Sequence, residues 1–160
     1  MIKPLSLAIA FLFISFMVGI VGDPIFRRSR SYARLSSLSM FGDQKTYERL
    51  GVLWFRKFLA CTPFGWLNQS ICITKERDLG TFRTLLDRMA AAEMSHWVAF
   101  VAMLGMTAVA WAYRGWQFGV AGLAVNVLGN LYPCLLQQYN KRRLYKHIAA
   151  LERRAGTSRT

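Results

Sequence analysis

Residues 94–139 read MSHWVAFVAMLGMTAVAWAY, then RG, then WQFGVAGLAVNVLGNLYPCLLQQY. Only Arg114 and Gly115 separate the two apolar runs, and neither run contains Asp, Glu, Lys or Arg. A helix needs about 20 predominantly apolar residues to cross a bilayer, and each run meets that length. The pattern predicts two transmembrane helices, at 94–113 and 116–139, that form a tight antiparallel hairpin.

A third apolar run without charged residues lies near the start of the sequence, at 5–21. One interpretation is a signal peptide, with Lys3 before the apolar run and VGIVG at 18–22 before the cleavage site. We favour an uncleaved anchor, because the cluster of arginines that follows resists translocation. These are Arg27, Arg28, Arg30 and Arg34. The sequence thus predicts an all-α integral membrane protein with three transmembrane helices, in a single membrane domain at 1–160.

The charge distribution predicts how these helices are oriented. The chain has a formal net charge of +13, although 54% of its residues are hydrophobic. Of its 21 lysines and arginines, all except Lys3 and Arg114 lie between residues 23 and 93 or after residue 139. Since basic loops stay in the cytoplasm, we expect the N-terminus outside and the basic tail at 140–160 inside the cell (inner) membrane. A nucleic-acid partner is not predicted, because the basic residues flank apolar runs.

The segment at 23–93 is expected to lie at the cytoplasmic membrane surface as an interfacial amphipathic region. Its aromatic part, 50–73, is interrupted by charges and by Pro63 and Gly65, which favours an interfacial or re-entrant segment over a fourth transmembrane helix. After it, apolar side chains recur every three or four residues and predict one helical face that continues into the second transmembrane helix. The residues of this face are Leu79, Phe82, Leu86, Met89, Glu93, His96 and Phe100.

Glu93 and His96 are ionisable residues at the edge of an apolar run, where their presence needs a reason. An ionisable side chain costs about 2.5–3.5 kcal/mol at the centre of a membrane helix, and less near its edge. One interpretation is that the two side chains satisfy each other at headgroup depth, since residues three apart can meet. The other is functional, because the hairpin places them opposite polar residues of the third transmembrane helix. These are Asn126, Asn130, Gln137, Gln138 and Asn140.

Metal and nucleotide chemistry is not indicated. E-x-x-H is a ligand pattern of di-iron helix bundles, but such bundles need two of these motifs, and the next histidine, His147, lies on the tail. The motif H-E-x-x-H, a Walker loop, G-x-S-x-G and G-x-G-x-x-G are all absent from the sequence. The three cysteines form no C-x-x-C pair, so we expect them to behave as small apolar residues.

Two blocks carry a family resemblance: AAEMSHW at 91–97 and NLYPCLLQQYNKRRL at 130–144. They resemble the A-E-x-x-H-W motif and the N-x-P element leading to Q-R-Y-N-R-x-R-L of the glycosyl-4,4'-diaponeurosporenoate acyltransferases. Leu67-Asn68-Gln69, before Lys75-Glu76-Arg77, is similar to a third family segment. The likeness covers about residues 45–155. The sequence departs from the second motif in that Gln138, Lys141 and Arg142 replace Arg, Arg and Pro, and in that Pro133 falls one place later.

The resemblance implies a membrane enzyme that esterifies a sugar hydroxyl of a carotenoid glycoside, or of a similar glycolipid, with a fatty acyl group. An esterification of this type occurs in the biosynthesis of staphyloxanthin-type pigments. The acyl donor would be acyl-CoA or acyl carrier protein, and no further cofactor is implied. Matching motif positions suggest Glu93 and His96 as catalytic residues. The suggested substrate-binding residues are Trp97, Asn130, Gln137, Tyr139, Asn140, Lys141 and Arg143.

These residue types suit acyl transfer at the cytoplasmic face. A neutral His96 could take the hydroxyl proton while Glu93 holds its tautomer. Asn130 or Gln137 could donate hydrogen bonds to the oxyanion. The basic cluster at 141–143 could bind the phosphates of acyl-CoA or, alternatively, anionic lipids. No nucleophile stands out, which favours direct transfer.

Two other functions are compatible with the same residues. In the first, the chain is a non-catalytic membrane partner whose polar residues lock its helices together. In the second, it is another membrane lipid transferase, such as one that transfers a methyl group.

Overall fold

The structure is a computed structural model that describes residues 2–30, 32–37, 39–62 and 79–157. Helix accounts for 89% of it, and the described part contains no strand, so the predicted all-α fold is confirmed. The helices are α1 (Pro4–Arg27), α2 (Tyr32–Ser37), α3 (Gln44–Arg49), α4 (Val52–Ala60), α5 (Leu79–Arg114), α6 (Trp116–Asn126), a π-helical turn (Val127–Leu131) and α7 (Tyr132–Thr157). The interruption expected at Pro63 and Gly65, and the motif segments at 67–69 and 75–77, lie outside the described residues.

Three helical segments of the described chain are long and apolar enough to cross a membrane: Pro4–Arg27, Leu79–Arg114 and Trp116–Arg153. Each contains one of the predicted transmembrane helices and extends beyond it. The helix α1 continues to Arg27, where the Nε atom donates to Asp23 Oδ2 at 2.8 Å. This pair lies one turn apart, and its cation lies at the negative end of the helix dipole, so both features favour the longer helix.

The hairpin between α5 and α6 has the predicted two-residue connection. The helix α5 runs without a break from Leu79 to Arg114, so the amphipathic segment does continue into the second transmembrane helix. Gly115 then turns the chain with φ 97°, in the left-handed region that residues with a Cβ rarely adopt. Trp116 already belongs to α6.

The third transmembrane helix is not a uniform α-helix. The π-helical turn at Val127–Leu131 divides α6 from α7 and ends two residues before Pro133. A proline inside a helix has no N–H to donate, and its ring clashes with the carbonyl group four residues earlier, here that of Gly129. The wider turn relieves this clash, and single π turns of this kind are frequent at functional sites.

The described chain forms two compact units, to both of which α5 and α7 contribute residues. The first unit comprises Met1–Leu38 and Ala91–Cys134. In it, α1 buries one narrow face, with Ala8, Ser15 and Gly19 spaced by seven and four residues. A Cβ atom built on Gly19 would overlap the Ser95 carbonyl oxygen, and one on Gly22 would lie 2.9 Å from Val98 Cγ1. Glycine at these positions lets the two helix backbones approach closely.

The second unit comprises Ser39–Ala90 and Leu135–Thr160. Its core brings Phe82 and Met89 of α5 against Leu144 and Ile148 of α7. Leu79, Leu85, Leu86 and Leu151 pack around these four residues. The apolar face predicted from Leu79 onwards is therefore a packed core face over this part of α5.

The close approach at Gly19 predicts that Gly19→Ala destabilises the protein. The added Cβ would overlap a backbone carbonyl group, which cannot rotate away, and overpacking of this kind costs about 1–3 kcal/mol. The matched control is Gly105→Ala in α5, where a Cβ meets no atom within 4 Å and should gain up to about 1 kcal/mol from helix propensity. Unfolding of both variants in detergent gives the comparison. Equal stabilities would show that α1 does not pack closely on α5.

Candidate functional site

Asn130 is the centre of a buried polar cluster in the first unit. It lies on the π-helical turn, is fully buried, and donates through Nδ2 to Asn126 Oδ1 at 2.9 Å. The same Nδ2 donates to Ser15 Oγ at 3.3 Å and lies 3.8 Å from Met103 Sδ. Asn126 in turn donates to the Phe100 carbonyl oxygen at 3.0 Å. The amide thus ties the third transmembrane helix to both α1 and α5.

His96 contacts this cluster through one ring nitrogen. Its Nδ1 lies 3.5 Å from Asn130 Oδ1, a long hydrogen bond. Because an amide oxygen only accepts, Nδ1 must carry the proton, and the lone pair of the neutral ring then lies on Nε2. An edge-to-face contact with Phe16 of α1, with 5.8 Å between ring centroids, covers another side of the ring. As the hairpin predicted, His96 meets an amide of the third transmembrane helix.

Glu93 is 1% exposed, but it is not the hydrogen-bond partner that the sequence spacing suggested for His96. The hydrogen bond of the His96 ring runs to Asn130, which is 34 residues away in sequence. The backbone carbonyl group of Glu93 accepts a weak bond from Cys134 Sγ at 3.6 Å. Trp97 is half-buried and packs edge-to-face on Phe100, with 5.8 Å between the ring centroids. The structure thus gives the role of holding the His96 tautomer to Asn130.

The remaining predicted residues lie on α7 in the second unit. The Tyr139 hydroxyl group donates to Glu48 Oε1 at 3.3 Å, and the Arg143 guanidinium group lies 5.9 Å above the Tyr139 ring. Lys141 is only 5% exposed, and Asn140 is also buried. Gln137 is half-buried. Within this unit the structure therefore brings Tyr139 and Arg143 together.

Two further residues of α7 hold the segment before α3. Gln138 Oε1 accepts from the Tyr47 hydroxyl group at 2.7 Å and from the Met40 N–H at 3.0 Å. Arg142 donates to the carbonyl groups of Phe41, at 2.7 Å, and Gly42. The sequence showed Gln138 as one of the amides near the end of the third apolar run and Arg142 as part of the basic cluster at 141–143, but it gave neither residue this structural contact. Nothing in the sequence pointed to Tyr47, because a single tyrosine in a polar segment carries no signal of burial.

Ser15, Phe16 and Asn126 also belong to the site residues that motif matching did not find. Asn126 and Ser15 are both polar residues in apolar runs, which is the signal by which the sequence can indicate them. Within the described residues, His, Cys, Asp and Glu form no group of three or more that could hold a metal ion. The described contacts of the His96 ring are the Asn130 amide and the Phe16 ring.

Comparison with known proteins identifies the family. A family model described as glycosyl-4,4'-diaponeurosporenoate acyltransferase matches residues 28–150. This match covers more than half of the chain, so the protein belongs to that family, whose name denotes an acyltransferase. No curated protein and no solved structure matches the chain. The helix α1 lies outside the matched residues.

The buried hydrogen bonds of the Tyr47 hydroxyl group predict that its removal destabilises the protein. Tyr47 is 0% exposed, so Tyr47→Phe would leave Gln138 and the Phe41 N–H each short of a buried partner. We expect a loss of about 1–3 kcal/mol in the free energy of unfolding. Tyr145→Phe is the control, because Tyr145 is 53% exposed and should change stability by less than about 0.5 kcal/mol. Denaturant titration measures the stability of both variants. Equal stabilities would contradict the role of the Tyr47 hydroxyl group in this network.

Proposed function

We propose that this family member transfers a fatty acyl group from acyl-CoA or acyl carrier protein to a sugar hydroxyl group of a carotenoid glycoside or a similar glycolipid. The family match supports acyl transfer in carotenoid glycoside biosynthesis. Three helices long and apolar enough to cross a membrane support the proposal, because a polyene and an acyl chain would lie in a bilayer beside them. The observation that carries the proposal is the His96 ring, held through Nδ1 by Asn130 so that Nε2 keeps a lone pair.

In the proposed reaction, His96 acts as a general base. Its Nε2 takes the proton of the sugar hydroxyl group while the hydroxyl oxygen attacks the thioester carbonyl carbon. The tetrahedral intermediate then collapses, the carbon–sulfur bond breaks, and the thiolate leaves and receives the proton from the imidazolium ion. The product is an ester and a free thiol, and no acyl-enzyme forms. Asn130 keeps the ring in the reactive tautomer and accepts from Nδ1 throughout.

The other proposed substrate contacts rest on matching motif positions. Gln137, Tyr139 and Asn140 are proposed to bind the polar part of a substrate, and Lys141 and Arg143 the phosphates of the donor. Glu93 remains proposed as a catalytic residue, and Trp97 as an apolar substrate contact. The donor capacity of Asn130 Nδ2 is already used by Ser15 and Asn126, so we assign oxyanion stabilisation to another donor.

One observation also fits a non-catalytic membrane partner. The bonds among Ser15, Asn126 and Asn130 are of the kind that hold transmembrane helices together without any chemistry. A structural role of this kind requires the cluster for folding but makes no use of Nε2 on the imidazole. Replacing His96 therefore separates the two functions.

We expect His96→Gln to abolish product formation while the protein accumulates normally in the membrane. Glutamine can still donate to Asn130 but cannot act as a base, and loss of a general base lowers rates by about 10²–10⁴-fold. His147→Gln is the control, since this exposed histidine on α7 is the other one in the chain. Lipid extracts from cells that supply the glycoside are analysed by mass spectrometry for the added acyl chain. Full activity of His96→Gln would exclude the mechanism, and a mass gain of a methyl group would identify a methyltransferase.

We further propose that the site opens toward the cytoplasm, with the N-terminus outside. The basis is the positive-inside distribution of lysine and arginine. Alkaline phosphatase inserted at Gly115 should then be active, because the α5–α6 hairpin would lie outside. The same enzyme fused after the basic tail should be inactive, and a green fluorescent protein there should fluoresce. The opposite pattern would reverse the orientation and place the acyl donor on the wrong side.

A further inference from the structure

We propose that α1 is a permanent part of the catalytic site, in which Ser15 is a positioning residue for the Asn130–His96 pair. This inference rests on the proposed function for its catalytic meaning. The apolar run at 5–21 is compatible with a removable signal peptide, and the family match begins only at residue 28. Residues of α1 nevertheless contact both members of the pair.

The hydrogen bonds around Ser15 have fixed directions. Ser15 is 0% exposed, and its hydroxyl group donates its only proton to the Leu12 carbonyl oxygen at 2.8 Å. Only the oxygen lone pairs then remain for Asn130, so Asn130 must present its NH₂ group to Ser15. Asn126 Oδ1 also accepts a hydrogen bond from this NH₂ group, so it favours the same orientation of the Asn130 amide.

The planar amide of Asn130 transmits this orientation to His96. When Nδ2 of Asn130 faces Ser15 and Asn126, Oδ1 faces His96. This orientation requires the proton of the neutral ring on Nδ1, and the proposed reaction needs the lone pair on Nε2. The relay from the Leu12 carbonyl group to the imidazole therefore selects the reactive tautomer. With Ser15 removed, one of the two oxygen acceptors of this amide is lost, which leaves Asn126 Oδ1 and the weaker sulfur contact of Met103.

The helix α1 packs closely enough on its neighbours to act in this way. Gly19 brings α1 against Ser95, the residue before His96, and Gly22 brings it against Val98, two residues after His96. A Cβ on Gly129, the residue before Asn130, would overlap the Leu12 side chain. These close approaches flank the polar cluster on either side, so the packing of α1 fixes the distance between Ser15 and Asn130.

Phe16 adds a second contribution from the same helix. Its ring meets the His96 ring at an interplanar angle of 82°, in an edge-to-face arrangement. An apolar neighbour at this place keeps water from one side of the imidazole and limits its rotation. Loss of α1 by cleavage would remove Ser15, Phe16 and the glycine contacts together.

The test compares Ser15→Ala with Ser6→Ala, which removes an exposed hydroxyl group from the same helix. Since loss of one hydrogen bond is worth about a factor of ten, we expect Ser15→Ala to lower kcat about tenfold. KM for donor and acceptor should not change, because Ser15 touches neither. Ser6→Ala should match the parent protein. An unchanged kcat, or a loss confined to KM, would overturn the positioning role.

A second measurement does not depend on activity. In a His147→Gln background, ¹⁵N-histidine labelling leaves His96 as the single histidine signal, and its nitrogen shifts report which ring nitrogen carries the proton. We expect the Nδ1–H tautomer, with Ser15→Ala shifting the population toward Nε2–H. An Nε2–H ring before mutation would overturn the relay. If the tautomer is as expected but no acylated product forms, the proposed function fails while the positioning by Ser15 stands.

Retention of α1 is tested directly by a tag placed before Lys3. The intact mass of the protein purified from membranes should include both the tag and α1. A mature species that lacks residues up to the 18–22 segment, and that still forms product, would overturn the role of α1.

Discussion

A buried amide must find its hydrogen-bond partners inside the protein, and Asn130 is such an amide in the first unit. Each unsatisfied polar group that is buried in this way costs several kcal/mol. The partners of Asn130 come from three different helices: Ser15 from α1, Asn126 from α6 and His96 from α5. One side chain therefore links three helices. The close approaches at Gly19, Gly22 and Gly129 support the same arrangement by packing.

The π-helical turn and the glycines allow the buried Asn130 amide to reach its hydrogen-bond partners. Pro133 prevents a regular α-helix, and the wider turn before it carries Asn130. Gly19 and Gly129 then allow α1 to approach without a clash. Backbone irregularity and small side chains, which each weaken an isolated helix, here serve to place polar groups within bonding distance.

The sequence predicted the helices well because length and apolarity are what a bilayer selects. The three helices long and apolar enough to cross a membrane, the two-residue hairpin and the continuation of α5 from Leu79 all follow from counting residues and periodicity. The sequence did not predict which residue forms a hydrogen bond with His96. Spacing by three residues pointed to Glu93, whereas the structure joins His96 to Asn130. Which polar residues meet across helices depends on rotation and depth, which a π turn changes and a hydropathy pattern does not record.

The second unit shows how departures from a motif can be explained by packing. Gln138 and Arg142 stand where the family pattern has Arg and Pro, and a change beside a motif suggests a change of substrate. Both side chains instead bind one segment, Met40 to Gly42, and Gln138 also accepts from the buried Tyr47 hydroxyl group. An arginine at 138 could not accept either bond, and a proline at 142 could not donate any. The two substitutions are thus consistent with each other through a shared structural contact. They give no reason of their own to assign this chain a different acceptor.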